Sequence, residues 1–473
     1  MEPIAAVVLA AGKGTRMKSE KAKVLHRALG RPMAYFPVRA ALSLDCAPVI
    51  AVVGHQAQTV EKELSELFPA APLKFALQAE QLGTGHAVLS ARAALREAGF
   101  SEKGTVLLLC GDTPLVTAET LQRLVEAKRS AGAPLALITA HPADAKGYGR
   151  IVRNPKGGVE RVVEEKDASA AERKIGEVNA GIYLTDAGFL FKALTQANLN
   201  NAQGEHYLTD IVSAAAAAAR EGRAPWPATI EASAEEVSGV NDRAQLAWSA
   251  ARLRERGLGK LMREGVTILD PAVTYVDEGV EVGPDSVLEP LVSLRGKTRL
   301  GRGVEIGQGC VLVDMEVQDG ARILPYSHLE SSRIGPGAVV GPFARLRPGA
   351  QVAERAHVGN FVELKKTVLG KGSKANHLSY LGDAVIGEGV NVGAGTITCN
   401  YDGKQKYVTT IEDGAFIGSD TQLVAPVTVH KGAYVGTGTT VREDVPAGSL
   451  AVSAGKQRNI EGWVAKKSPT KKG

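Results

Sequence analysis

Pairs of an aliphatic residue and a glycine recur through the second half of this 473-residue chain at intervals that are often six or eighteen, and this spacing limits the possible folds more than any other feature. The pairs are Val282-Gly283, Leu300-Gly301 and Ile306-Gly307, then Ile334-Gly335, Val340-Gly341 and Val358-Gly359, then Ile386-Gly387 and Val392-Gly393, and finally Ile417-Gly418 and Val435-Gly436. A helix face returns every three or four residues, so a period of six excludes it. The period suits a triangular coil of three short parallel strands, in which each aliphatic side chain stacks inward on its equivalent one coil away and glycine carries the backbone round a corner. Roughly ten such coils are expected over residues 265–455. The frame slips across 308–333, 360–385 and 394–416, which are expected to leave the surface as loops. Two of these stretches hold the densest reactive side chains, Lys365 to Tyr380 and Asn400 to Tyr407, although polar corner loops are ordinary in a solenoid.

A chain of this length exceeds one hydrophobic core, so at least two domains are expected. With 44% hydrophobic and 23% charged residues it has the make-up of a globular protein. A net charge of +5 is small, and aromatics are too sparse beside the basic tail, residues 456–473, to make a nucleic-acid surface. Lys466, Lys467, Lys471 and Lys472 around Ser468-Pro469-Thr470 are therefore read as solvated, with no nucleic-acid partner. Cys46, Cys110, Cys310 and Cys399 are widely separated, with no Cys-x-x-Cys pair, which argues against a zinc or dithiol motif and for a reducing compartment. Ile4 to Ala11 is apolar but lacks a basic flank and is too short to span a bilayer, so it is expected to be a buried strand of a cytoplasmic protein with no membrane insertion.

Residues 1–243 alternate apolar, β-branched runs with helical stretches such as Ser213–Arg220, the pattern of an α/β domain with a mainly parallel sheet. The expected strands are Ala5–Leu9, Val49–Val53, Leu73–Ala76, Val106–Leu109, Leu135–Ala140 and Gly181–Leu184. Ligands of such sheets bind beyond the carboxyl ends of the strands. The first end carries Leu9-Ala10-Ala11-Gly12-Lys13-Gly14-Thr15-Arg16-Met17, which is neither a dinucleotide fingerprint nor a P-loop. Its two glycines still free backbone N–H groups for phosphate oxygens, and Lys13, Arg16 and the later Lys23 supply positive charge. Asp112 follows the apolar run Val106–Cys110, where a carboxylate can hold Mg²⁺, although a lone Gly-Asp after a strand is more often a turn. Residues 244–264 read as a connecting helix with Gly257 and Gly259 as its few breakers. In the repeats, Arg345, Arg347, Lys365 and Lys366 fall on successive coils and would gather into a sugar-phosphate pocket. His377 is the one group beside them whose ordinary pKa suits taking a proton from an amine.

Leu9–Met17 with Lys23-Val24-Leu25 resembles the signature of sugar-1-phosphate nucleotidyltransferases, and Gln78-Ala79-Glu80-Gln81-Leu82-Gly83-Thr84-Gly85-His86-Ala87 resembles their uridylyl-transferring members. Gly111–Leu115, Gly147–Ile151, Val163–Asp167, Glu177–Gly181 and Gly239–Arg243 follow in family order, and Asn376–Asp383 resembles the catalytic segment of hexapeptide-repeat acetyltransferases. Nearly the whole chain thus resembles the bacterial bifunctional N-acetylglucosamine-1-phosphate uridylyltransferases and glucosamine-1-phosphate N-acetyltransferases. The resemblance implies a Rossmann-like α/β nucleotidyltransferase domain followed by a left-handed parallel β-helix. It implies two reactions: acetyl-CoA acetylates glucosamine-1-phosphate, and UTP then gives UMP to N-acetylglucosamine-1-phosphate with release of pyrophosphate.

Residue by residue, the resemblance assigns Asp112 and Asn241 to Mg²⁺, and Leu9, Ala10, Ala11, Gly12, Lys13 and Lys23 to the nucleotide, with Arg16 and Lys23 catalytic. It gives uracil to Gln78, Gly83 and Thr84, and the amino sugar to Gly149, Glu164 and Asn179. In the repeats it makes His377 the general base, with substrate or CoA contacts from Arg347, Lys365, Tyr380, Asn391, Ala394, Asn400, Tyr401, Ser419 and Thr437. The chain departs from the family at Ala22, usually proline, and Cys110, often tyrosine; Thr437 replaces an alanine, and Ala454 an arginine whose charge Lys456 would supply. Hexapeptide acyltransferases imply a homotrimer. Other readings are a single-activity nucleotidyltransferase with a structural or regulatory β-helix, a zinc hydratase built on His357 and His377, and a non-catalytic scaffold. A fragment of residues 1–240 is expected to retain uridylyl transfer.

Overall fold

The structure, a computed structural model, describes residues 3–197, 201–453, 455 and 457–467. Ala454, Lys456 and residues 468–473 lie outside the described residues. Two compact units divide between Leu253 and Arg254, inside the helix Arg243–Arg263.

The first unit is built on a nine-stranded sheet whose main path runs Ala228–Glu231, Leu135–Ala140, Val178–Asp186, Thr105–Cys110, Ile4–Leu9, Val49–Val53 and Leu73–Leu77. The centre is buried on both faces: Ala5 and Val7 belong to one apolar cluster, Ala6 and Val8 to another, as alternation along a covered strand requires. Ile4–Leu9 is parallel to both of its neighbours, whereas Val178–Asp186 is antiparallel to both of its own. The sheet is therefore mixed rather than mainly parallel through its length. The chain reaches Val178–Asp186 through the hairpin Arg150–Arg153 and Val159–Val163, not through a crossover helix, and so returns in the opposite direction. Neither that hairpin nor Ala228–Glu231 is among the strands expected from the sequence.

The second unit is a left-handed β-helix of three stacked parallel sheets with eleven, ten and nine strands. One interior column runs Leu288, Ile306, Ile323, Val340, Val358, Ala375, Val392, Ile417 and Val435, each in register with the next. Two of the three expected surface loops are absent. Across 308–333 and 360–385 the pairing continues, and the coil is only one residue short: Arg345 Nη1 reaches His328 O, and His377 reaches Asn360, seventeen positions away instead of the eighteen between Thr440 and Gln422. A one-residue deletion shifts the glycine frame as an insertion does, which is why the spacing misled. Buried hydroxyls help close the short coils: Thr367 Oγ1 donates to Leu381 O at 2.8 Å, and Ser373 Oγ accepts from Val390 N–H at 2.9 Å. A true insertion lies within 394–416, where Glu388 bonds Asp413 twenty-five positions on. It forms a small hairpin closed by a bridge between Tyr401 and Lys406.

Along one corner of the prism Tyr326, Phe343, Phe361 and Leu378 take left-handed φ angles of 59°, 54°, 57° and 47°. All four are exposed, and the three rings stack with centroids 5.5 and 5.4 Å apart.

Candidate active sites

In the first unit, the ends of three parallel strands present the glycine loop after Leu9, Gln78 after Leu77 and Asp112 after Cys110. They border a cleft of about 340 Å³ that includes Leu9, Ala11, Gly12, Lys23, Gln78, Gly83, Thr84 and Asp112. Ala10 is buried beneath it, and Lys13 instead faces a neighbouring cleft with His55 and Leu77. Gly14 sits at φ 65°, and a Cβ there would lie 2.5 Å from Lys23 Cβ, so a bare backbone lets the lysine stem pack on the loop. Lys23 Nζ donates to Asp112 Oδ2 and, at 2.9 Å, to Asn241 Oδ1, which also accepts from Arg16 Nη2 at 2.7 Å. Three separated sequence motifs thus meet at one point.

The resemblance places Mg²⁺ on Asp112 and Asn241. Their oxygens converge on one cationic atom, so the donor set fits a hard cation that completes its shell with water and phosphate. Among the described residues of the single chain no three His, Cys, Asp or Glu side chains group as metal ligands.

Gly149, Glu164 and Asn179 also come together. Gly149 O accepts from Asn179 N–H at 2.9 Å, and a Cβ on Gly149 would stand 3.6 Å from both Glu164 oxygens. Burial pushes the Glu164 carboxyl above its usual range, against the bond it accepts from Thr209 Oγ1. Cys110 borders the cleft and bonds Gly181 O, which joins this cluster to it; burial raises the thiol to about 12. Ala22, where proline is usual, uses the N–H that proline lacks to reach Gln56 Oε1 at 2.8 Å. The sequence reading gives no role to Gln81, whose Nε2 clamps Ala11 O at 2.8 Å, or to Glu205, which borders the cleft. Gln81 lies within the quoted Gln78–Ala87 motif, whereas nothing in the sequence around Glu205 points to the site.

On the β-helix, Arg345, Glu363 and Tyr380 lie in register on adjacent coils, and Lys365 pairs with Gly382. The bare backbone of Gly382 leaves the Tyr380 hydroxyl its place, since a Cβ there would stand against it. Arg347 Nη1 donates to Glu363 Oε1 at 2.9 Å. Lys365 has a second lysine beside it, Lys406 from the inserted hairpin, whose ammonium Lys365 holds below its usual pKa. Two like charges held together suit a doubly charged anion. Lys406 has no sequence signal beyond its place in the Asn400–Tyr407 cluster. Asn400 Nδ2 donates to Asp383 Oδ2 at 2.5 Å and pins that hairpin to the solenoid.

His377 ends the strand Lys374–His377 and lies on the continuous coil, not in a loop. Its Nδ1 bonds Asn360 Oδ1 at 2.9 Å, which makes Nδ1 the protonated nitrogen and leaves the Nε2 lone pair outward. Asn391 starts the next strand of the same sheet. Ala394, Ser419 and Thr437 hold the same register position as His377 on the following three coils, three residues beyond Asn391, Phe416 and Tyr434. Asp420 N–H reaches Ala394 O at 2.7 Å and Gly438 N–H reaches Ser419 O at 2.9 Å along that row. Tyr401 is exposed on the hairpin.

Residues 6–225 match the family described as MobA-like NTP transferase domain. Curated relatives described as bifunctional protein GlmU include one from Anaeromyxobacter sp. (strain Fw109-5), 57% identical over 465 residues that cover 98% of this chain and 93% of the relative. One from Pelobacter propionicus is 51% identical over 98% of both chains, and one from Geobacter metallireducens is 48% identical over 98% of this chain and 99% of its own. With such identity across both units, the chain belongs to the family of bifunctional GlmU proteins.

Proposed function

We propose that the first unit transfers UMP from UTP to N-acetylglucosamine-1-phosphate, and that the β-helix makes that sugar phosphate by acetylating glucosamine-1-phosphate from acetyl-CoA. The observation that carries the first half is the convergence of Lys23, Asp112 and Asn241 at the carboxyl edge of the sheet. The glycine loop, Lys13, Arg16 and Lys23 neutralise the triphosphate, Gln78, Gly83 and Thr84 read uracil, and Gly149, Glu164 and Asn179 seat the amino sugar. The sugar phosphate oxygen attacks the α-phosphorus and pyrophosphate leaves. Asp112 and Asn241 would hold Mg²⁺, which when bound supplies positive charge to the phosphates.

On the β-helix, Arg347, Lys365, Lys406 and Tyr380 bind the sugar phosphate, and His377 Nε2 takes a proton from the 2-amino group. The nitrogen attacks the thioester carbon, a backbone N–H near Ala394 steadies the oxyanion, and the CoA thiolate departs and takes up a proton. The row His377, Ala394, Ser419 and Thr437 spans about 15 Å at the spacing of stacked strands, which suits the long arm of CoA, with Asn391, Asn400 and Tyr401 beside it. The apolar corner Tyr326 to Leu378 runs directly to His377 and supports a homotrimer in which a second copy covers that corner. No helix of the described residues is long and apolar enough to cross a membrane, and a cytoplasmic location fits these substrates.

The test is a product assay of the purified chain with UTP, Mg²⁺, acetyl-CoA and glucosamine-1-phosphate, together and with each omitted. With N-acetylglucosamine-1-phosphate supplied directly so that uridylyl transfer is scored on its own acceptor, Asp112→Ala is expected to stop UDP-sugar formation and spare acetylation, and His377→Ala to do the reverse. One variant abolishing both activities would refute the assignment of one reaction to each unit.

A further inference from the structure

Lys23 does more in this arrangement than offer charge to a nucleotide. Its side chain is 12% exposed and holds the two oxygens proposed as metal ligands, Asp112 Oδ2 and Asn241 Oδ1. Asn241 Oδ1 also accepts from Arg16, so both of its lone pairs are engaged. Asn241 is anchored from behind as well, because its backbone N–H donates to Gln245 Oε1 at 2.7 Å.

Resting on the reading that Asp112 and Asn241 are the metal ligands, we propose that Lys23 is an internal competitor of the divalent cation. In the free protein its ammonium occupies the ligand oxygens, and the cation gains them only when a nucleoside triphosphate draws Lys23 and Arg16 onto its own phosphates.

Three physical arguments carry this. A divalent ion cannot take Asn241 Oδ1 until at least one of the two donors leaves it, since a carbonyl oxygen has two lone pairs. An ion placed against Asp112 with the ammonium still bound would set like charges side by side in a partly desolvated cleft. A polyphosphate, by contrast, offers Lys23 and Arg16 more negative charge than one carboxylate does. The lysine stem also lies against Gly14, so the loop that would take up the phosphates and the lysine that blocks the metal are in mechanical contact. The cation and the nucleotide therefore enter together, and the site is protected from stray divalent ions between turnovers.

The test is direct binding of Mn²⁺ alone to the full-length chain, followed by electron paramagnetic resonance without nucleotide, in wild type, Lys23→Met and the double variant Lys23→Met with Asp112→Asn. Removing one positive charge and freeing one lone pair is expected to tighten Mn²⁺ binding in Lys23→Met by at least about tenfold. The double variant should lose that gain. Lys23→Gln serves as the second variant if the methionine chain does not fold, with a cooperative thermal transition of the first unit and a native circular-dichroism spectrum as the check on folding. Binding in the lysine variants that is equal to wild type, weaker or undetectable overturns the proposal, as does a gain that survives in the double variant. The underlying ligand assignment fails separately, if Asp112→Asn alone leaves Mg²⁺-dependent uridylyl transfer at its wild-type rate.

Discussion

Gly14 and Gly12 sit two positions apart in one loop, and the structure separates them sharply. Gly14 lies at φ 65°, where an alanine costs about 1–2 kcal/mol from backbone sterics alone. Its added Cβ would stand 2.5 Å from Lys23 Cβ and 2.9 Å from Lys23 Cγ, so the lysine must swing away from Asp112 and Asn241. Losing a charge-assisted bond there adds roughly 1–2 kcal/mol, at the low end for charged partners because the cleft is partly open. The sum, about 2–4 kcal/mol, corresponds to a fall of roughly 5–15 °C in the thermal transition of the first unit. Uridylyl transfer should drop by about a hundredfold, the usual effect of misplacing one charge-stabilising donor. A Cβ on Gly12 meets nothing within 4 Å, and its backbone is not left-handed, so Gly12→Ala should leave the transition temperature within a degree or two while weakening UTP binding. Calorimetry on both variants, with steady-state kinetics of each reaction, makes the comparison. A Gly14→Ala chain that melts and turns over like wild type would refute the packing of Lys23 on the loop.

His377→Ala should lower acetyl transfer by at least about a hundredfold, and Asn360→Ala, which frees the ring to change tautomer, by about tenfold with a shifted pH profile; single-turnover acetylation across pH reads both. Glu164 has a raised pKa in the folded state, so the native protein binds its proton more tightly than the unfolded chain, and stability falls as pH rises from the unfolded value through the folded one. Glu164→Gln should therefore stabilise the chain near pH 7, with the gain vanishing below about pH 4 in denaturant titrations, while sugar binding weakens. A fragment of residues 1–253 should carry uridylyl transfer, whereas one ending at residue 240, expected from the sequence to retain it, should be less stable and lose it because Asn241 is missing. The shorter piece drops Asn241 and Leu253, which is buried with Ala28, Phe36 and Leu115, a loss of about 2–5 kcal/mol visible in the urea midpoint.

Contiguous motifs made much of this chain legible. The glycine loop, the Gln78–Ala87 run and the Asn376–Asp383 segment mark their own chemistry because each needs a fixed local backbone. Coil length was harder to read. A coil one residue short and a coil carrying a loop disturb the glycine spacing alike, and only pairing between coils, such as His357 with Lys374, tells them apart. Lys406 and Glu205 escaped because their neighbours, Lys365 and the Gln78–Thr84 edge, are distant in sequence and no local pattern links them. The strand expected at Gly181–Leu184 is present within Val178–Asp186, but its antiparallel direction escaped for a related reason, since strand direction follows from the connection before it rather than from its own residues.

The outer corner of the β-helix carries a thermodynamic implication. Glycine would adopt the left-handed turns at Tyr326, Phe343, Phe361 and Leu378 without strain, and each bulky residue gives up about 1 kcal/mol or more to stand there. An isolated chain is thus less stable than its own sequence could make it, by several kcal/mol along a single edge. In the proposed homotrimer that deficit is recovered as a second copy drives water from those side chains. On that proposal the melting temperature of the second unit should climb with protein concentration, with folding and assembly joined in one equilibrium instead of two successive events.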